Sequence, residues 1–125
     1  MDAGVILGVM NSEEKENFIR QSASEHVPAI NEKILWSLHA VKKLRVEGLR
    51  KTEVEKSLRD CIIVEDYPVK GRPLPDCLVL GFVGPDAVHS VVAIDRDFDR
   101  IFIVTVYRPS AGRWENDCKT RRKQS

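Results

Sequence analysis

The chain has 125 residues, of which 42% are hydrophobic and 31% charged. That is enough for one core and one site, and too apolar for a chain disordered throughout. Cys61, Cys77 and Cys118 are odd in number and widely spaced, with no C-x-x-C, which argues against a secreted disulfide framework and for a reducing cytoplasm. The apolar run Val5 to Met10 is too short to span a bilayer and follows Asp2 where a signal peptide has bases, so no membrane anchor or export signal is expected.

The formal net charge of +1 is a sum of unlike parts. Residues 1–27 carry five acids and two bases, Pro28 to Lys51 six bases and two acids, and Arg108 to Ser125 again six bases and two acids. Two basic stretches brought together by folding would suit a phosphate backbone; kept apart, they are solvated faces.

In chain order, Ser12 with Glu13, Glu14 and Glu16 places a capping hydroxyl and acids at the positive end of a helix dipole, predicting a helix over 12–25. Its large apolar residues are only Phe18 and Ile19, so residues 1–27 are expected to form a helical appendage to a single α+β domain over 28–118. From Pro28, Ile30, Ile34, Leu38, Val41 and Leu44 recur at three- and four-residue steps and Gly48 stands where a left-handed cap belongs, which predicts one long helix. Thr52 with Glu55 has the spacing of a capping box and opens a short helix running to about Asp60.

Four strands are expected over 61–67, 77–83, 87–95 and 101–107, joined by hairpins. The fold class is therefore α+β, with N-terminal helices on one face of a four-stranded antiparallel sheet. A register placing Val83 opposite Ala87 and Asp95 opposite Ile101 faces His89 with Tyr107. It assigns Ile62, Val64, Leu78, Leu80, Phe82, Val88, Val92, Ile94, Phe102, Val104 and Val106 to the helix-covered side. The other side receives Glu65, Tyr67, Gly81, His89, Thr105 and Tyr107, together with apolar residues such as Val79, Ile101 and Ile103. Trp114, Val5 to Met10 or a second subunit, as in a homodimer, would shield these from water. Residues 119–125, with four bases between Lys119 and Lys123, are expected as a basic tail, disordered at its end.

His39-Ala40, Gly48-Leu49, Val54-Glu55, Ile63 to Pro68, Cys77 to Gly81, His89 with Val91-Val92, Thr105 to Pro109 and Trp114 occur in an order that resembles the bacterial family called domain of unknown function forty-two fifty-eight. That family's helices-then-sheet layout resembles the RelE and BrnT class of small ribonuclease toxins paired with antitoxins. The resemblance implies a microbial-ribonuclease-like fold, and single-stranded RNA and a small antitoxin protein as partners. The sequence departs from the family pattern on the helix after His39, where Lys43 and Glu47 replace arginines.

RNA cleavage without a metal needs a base for the 2′-hydroxyl, an acid for the leaving oxygen and cations at the phosphorane. His89, Tyr107 and Arg108 suit those catalytic roles; as structural residues they are instead a tethered histidine and a packing aromatic. His39, Lys43, Glu65, Thr105 and Trp114 are the expected binding residues around them, with His39 and Lys43 one turn apart on a helix edge. A metal site is the weaker reading, because Cys61 and Cys77 begin adjacent antiparallel strands and the histidines show no ligand spacing. No P-loop or G-x-G-x-x-G is present, so no cofactor is expected. The leading expectation is a RelE-like metal-independent ribonuclease or an inactive relative. The alternative is a non-enzymatic protein-binding module using the open sheet face.

Overall fold

A computed structural model describes residues 9–67, 71 and 73–123. The first helix, α1 (Ser12–Glu25), is capped one residue earlier than expected: the Asn11 side chain accepts the Glu14 N–H at 2.8 Å and the Glu14 carboxylate accepts the Asn11 N–H at 3.1 Å. Ser12 is thereby free to donate to Asp66. Ile19 and Ala23 enter the main core from this helix.

The long helix expected from Pro28 is corrected. Val27 to Asn31 form a tight turn, β1 (Ile34–Trp36) is a short strand, and α2 spans only Leu38–Glu47. Ser37 caps α2 by accepting the Ala40 N–H at 2.9 Å, and Gly48, at φ 66°, ends it in the left-handed conformation that glycine adopts without a Cβ penalty. β1 is held from outside by His26, whose Nδ1 accepts the N–H groups of Lys33 and Ile34 at 2.9 and 3.2 Å. In α3 (Lys51–Ser57) the carboxylate of Glu53 accepts the Arg50 N–H at 2.9 Å, while Glu55 accepts the Trp36 indole N–H at 2.9 Å.

Among the described residues the sheet is five-stranded and mixed, in the order β1-β5-β4-β3-β2, where β2 is Ile62–Asp66, β3 Asp76–Val83, β4 Asp86–Asp95 and β5 Arg100–Tyr107. β1 runs parallel to β5 and the other pairs are antiparallel, which corrects the expected four-stranded antiparallel sheet. Gly84 at φ 60° allows a two-residue turn, so Val83 faces Asp86 and Phe82 faces Ala87. Asp95 likewise pairs with Arg100, one residue from the expected partner.

Two bulges then reset the register, leaving Val64 unpaired in β2 and Val104 unpaired in β5. As a result His89 does pair with Tyr107. The face assignment needs more correction. The helices cover Cys77, Val79, Val88, Val92, Ile94, Ile101, Ile103 and Val106. Leu78 and Leu80, paired with Val91 and His89, lie on the opposite side, as do Ile62, Phe82 and Phe102. Gly81 faces the helices, against Ser57.

Candidate functional site

The open side of the sheet is divided between a polar nest covered by the C-terminal segment and an apolar groove. In the nest, His89 is fully buried, its Nε2 donates to the Cys118 carbonyl at 2.7 Å, and its Nδ1 lies 3.2 Å from the Tyr107 hydroxyl. A carbonyl only accepts, so the proton sits on Nε2 and Nδ1 accepts from the phenol. Trp114, itself buried, stands edge-on over the imidazole with ring centres 4.5 Å apart.

Residues 113–123 form a strap over this nest. Trp114 and Arg121 bridge, and the Arg122 N–H donates to the Arg113 carbonyl at 2.8 Å. The Arg121 guanidinium grips both oxygens of Glu65, at 2.5 and 2.9 Å, and lies 4.7 Å from the centre of the Trp114 ring. Lys119 to Lys123, expected as the start of the basic tail, therefore include two arginines tied to the fold, since Arg122 also pairs with Glu115 at 3.0 Å.

The electrostatics follow from this cover. Burial holds the His89 imidazole below its ordinary value, opposed by the bond to Cys118. The Arg121 bonds keep the Glu65 carboxyl below the usual carboxylate range, with help from the Tyr67 hydroxyl. Burial, then the Glu65 carboxylate, pushes the Tyr67 phenol up to about 12. The Tyr107 phenol is also raised by burial. At neutral pH the nest is thus a neutral histidine, two neutral phenols and one ion pair.

Of the expected catalytic set, His89 and Tyr107 meet and Arg108 does not join them. The Arg108 guanidinium bonds the Glu47 carbonyl at 2.9 Å, the Gly48 carbonyl at 3.4 Å and Asp86 at 3.1 Å, while its N–H donates to the Glu47 carboxylate at 2.6 Å. It staples the end of α2 to the β3–β4 turn. His39 is exposed and reaches Thr105 beyond the end of β1, with Nε2 3.0 Å from the hydroxyl. Lys43 remains half-buried on α2.

Beside the nest, a groove of about 590 Å³ is floored by Val91, Ala93, Phe102 and Val104. Tyr67, Pro73, Leu74 and Asp76 wall one side, and Ser37 and Thr105 the other. The wall is anchored by Lys15, whose buried ammonium bonds the Asp66 carboxylate and the carbonyls of Tyr67 at 3.4 Å and Asp76 at 3.1 Å. Sequence reasoning missed the groove, because its floor depends on the bulge that turns Val104 outward and its wall on a lysine more than fifty residues away. The mixture of apolar and polar residues on the open face was the available signal.

Residues 36–108 match the family model described as Domain of unknown function (DUF4258). The chain belongs to this family. The matched span runs from the end of β1 through α2, α3 and the antiparallel strands to Arg108, leaving α1 and the strap outside it. No curated protein and no solved structure matches the chain. Among the described residues no group of three or more histidine, cysteine, aspartate or glutamate side chains is placed to hold a metal. Burial pushes the thiols of Cys61 and Cys77 up to about 12, so both stay protonated. No helix among the described residues is long and apolar enough to cross a membrane.

Proposed function

We propose that this member of the DUF4258 family is a non-enzymatic protein-binding module whose open-face groove receives an apolar segment of a partner polypeptide. The observation that carries this reading is the division of the open face. His89 is buried beneath Trp114 with both imidazole nitrogens engaged, one of them by the Tyr107 hydroxyl, whereas the accessible groove has an aliphatic and aromatic floor with polar groups at its margins. Burying an apolar side chain there stabilises a complex through area removed from water, and the polar margins set its orientation.

The test is a displayed-peptide selection on the wild-type chain with counter-selection on Val104→Arg, a change at a partly exposed floor position. Peptides rich in aromatic and aliphatic residues should emerge, and their affinity should fall at least about tenfold on Val104→Arg. Recovery of no peptide that distinguishes the two proteins would overturn the reading.

A second reading, the RelE-like metal-independent ribonuclease, is favoured by the His39–Thr105 contact, which brings an exposed imidazole to the groove margin. Cleavage of single-stranded RNA in excess chelator, slowed at least about tenfold by His39→Ala or His89→Ala, would establish it in place of the binding module.

A further inference from the structure

α2 turns Ala40 and Leu44 into the core, and its outward side carries Leu38, Val41, Lys42, Arg45 and Val46, all exposed. Leu38 is 71% and Val46 73% accessible. This surface bears no acid. The single carboxylate of the helix, Glu47, is turned away to accept the Arg108 N–H. Lys42, Lys43 and Arg45 make no ion pair among the described residues, and exposed Arg50 extends the positive surface past Gly48.

On α1 the bases and acids face one another along the helix: Arg20 lies 3.3 Å from Glu16, and the Gln21 amide donates to Glu25 at 2.9 Å. On α2 the neighbours three and four positions from Lys42 are Leu38, His39, Arg45 and Val46. None neutralises it, and Arg45 repels it. Exposed bases are readily hydrated, but interleaved with large exposed apolar side chains they match a partner supplying both carboxylates and apolar area.

From this charge complementarity we infer that the outer face of α2 docks an acidic amphipathic helix of a partner protein. Leu38, Val41 and Val46 are the exposed apolar residues of this face, at i, i+3 and i+8, and a second helix lays its apolar row against them. The ten residues of α2 give a seam of about 15 Å, two to three turns of a partner helix. Its acidic flanks reach Lys42, Arg45 and Arg50. Nucleic acid would satisfy the bases but would leave Leu38 and Val46 against phosphate, so a polypeptide fits the mixture better. The site lies on a different surface from the open-face groove and does not depend on it.

The probe is a designed helical peptide with leucines along one face and glutamates on its flanks, titrated against the full chain at low and moderate salt. Binding should weaken with salt, since the pairs form at a surface where screening acts within about 10 Å at 0.1 M. The double change Lys42→Glu and Arg45→Glu should lower affinity at least about tenfold, Leu38→Ser should lower it as well, and Val104→Arg in the groove should leave it unchanged. A control peptide with lysines in place of the glutamates should not bind. The inference is overturned if the acidic peptide fails to bind, if the charge reversals leave its affinity unchanged, or if single-stranded RNA or anionic vesicles bind through these bases and the peptide does not.

Discussion

Gly81→Ala tests the packing on which the placement of the open face rests. Gly81 lies on the helix side of β3, and a Cβ built on it falls 2.4 Å from the Ser57 carbonyl oxygen and 2.9 Å from the Ser57 Cβ and Oγ. Ordinary contact begins at 3.4 Å, so one methyl group demands about 1 Å of movement. The obstructing oxygen is backbone at the end of α3, and the Ser57 hydroxyl is itself tied to the Val54 carbonyl at 2.6 Å. α3 must shift as a unit or β3 must bend, and overpacking of this kind costs about 1–3 kcal/mol.

Chemical denaturation should therefore show a lower midpoint at unchanged slope, with melting reduced by roughly 4 °C for each kcal/mol. Gly112→Ala is the control, since a Cβ there meets nothing within 4 Å, and it should stay within about 0.5 kcal/mol of wild type. If Gly81→Ala is equally neutral, Gly81 does not face α3, β3 is turned over, and the groove as described does not exist.

Three further outcomes are expected. Ile19→Ala should cost about 2–5 kcal/mol, because Ile19 is completely buried in the main cluster; a wild-type denaturation midpoint would instead make α1 peripheral to the cooperative unit. Ser90→Ala should raise stability by about 1 kcal/mol, since the Ser90 hydroxyl is buried and has no hydrogen-bond partner among the described residues; a loss in the same assay would show that the hydroxyl is satisfied in solution. Because burial depresses the His89 imidazole, the unfolded chain takes up that proton first as pH falls. The stability contributed by the neutral ring is present above the ordinary imidazole value and is lost as pH falls from there through the folded value. Trp114→Ala should reduce this loss and raise the His89 titration midpoint measured by NMR, and an unchanged midpoint would refute the role of Trp114 as its cover.

How far the sequence reaches is clearest at His89 and Tyr107. Their pairing was legible, yet it came from a count that placed Asp95 one residue away from its true partner. The bulge at Val104 supplied the missing residue, so the right pair emerged although Phe102 and Val104 were assigned to the wrong face. Local chemistry was legible wherever it acts over a few residues: the helix over 12–25, the left-handed glycine closing α2, and the hairpin order of β2 to β5 follow from caps, turn residues and short periodicities.

β1 was not legible, because Ile34 and Leu38 keep helical spacing whether or not a strand intervenes. What draws Ile34–Trp36 out of the helix is a parallel partner far along the chain, Ile101–Ile103, with His26 closing its outer edge. The face of β3 was undecided for a related reason. Leu78, Val79 and Leu80 are all buried, so alternation carries no sign there, and the close approach of α3 at Gly81 sets the orientation. Arg108, expected in a catalytic role, and Glu47, which stands where the family pattern has an arginine, are joined to each other only when the end of β5 meets the end of α2. The sequence alone determines which segments are helix or strand where the deciding contacts are local; it is non-local pairing, bulges and close backbone contacts that decide which side of the sheet the helices cover and which stays open.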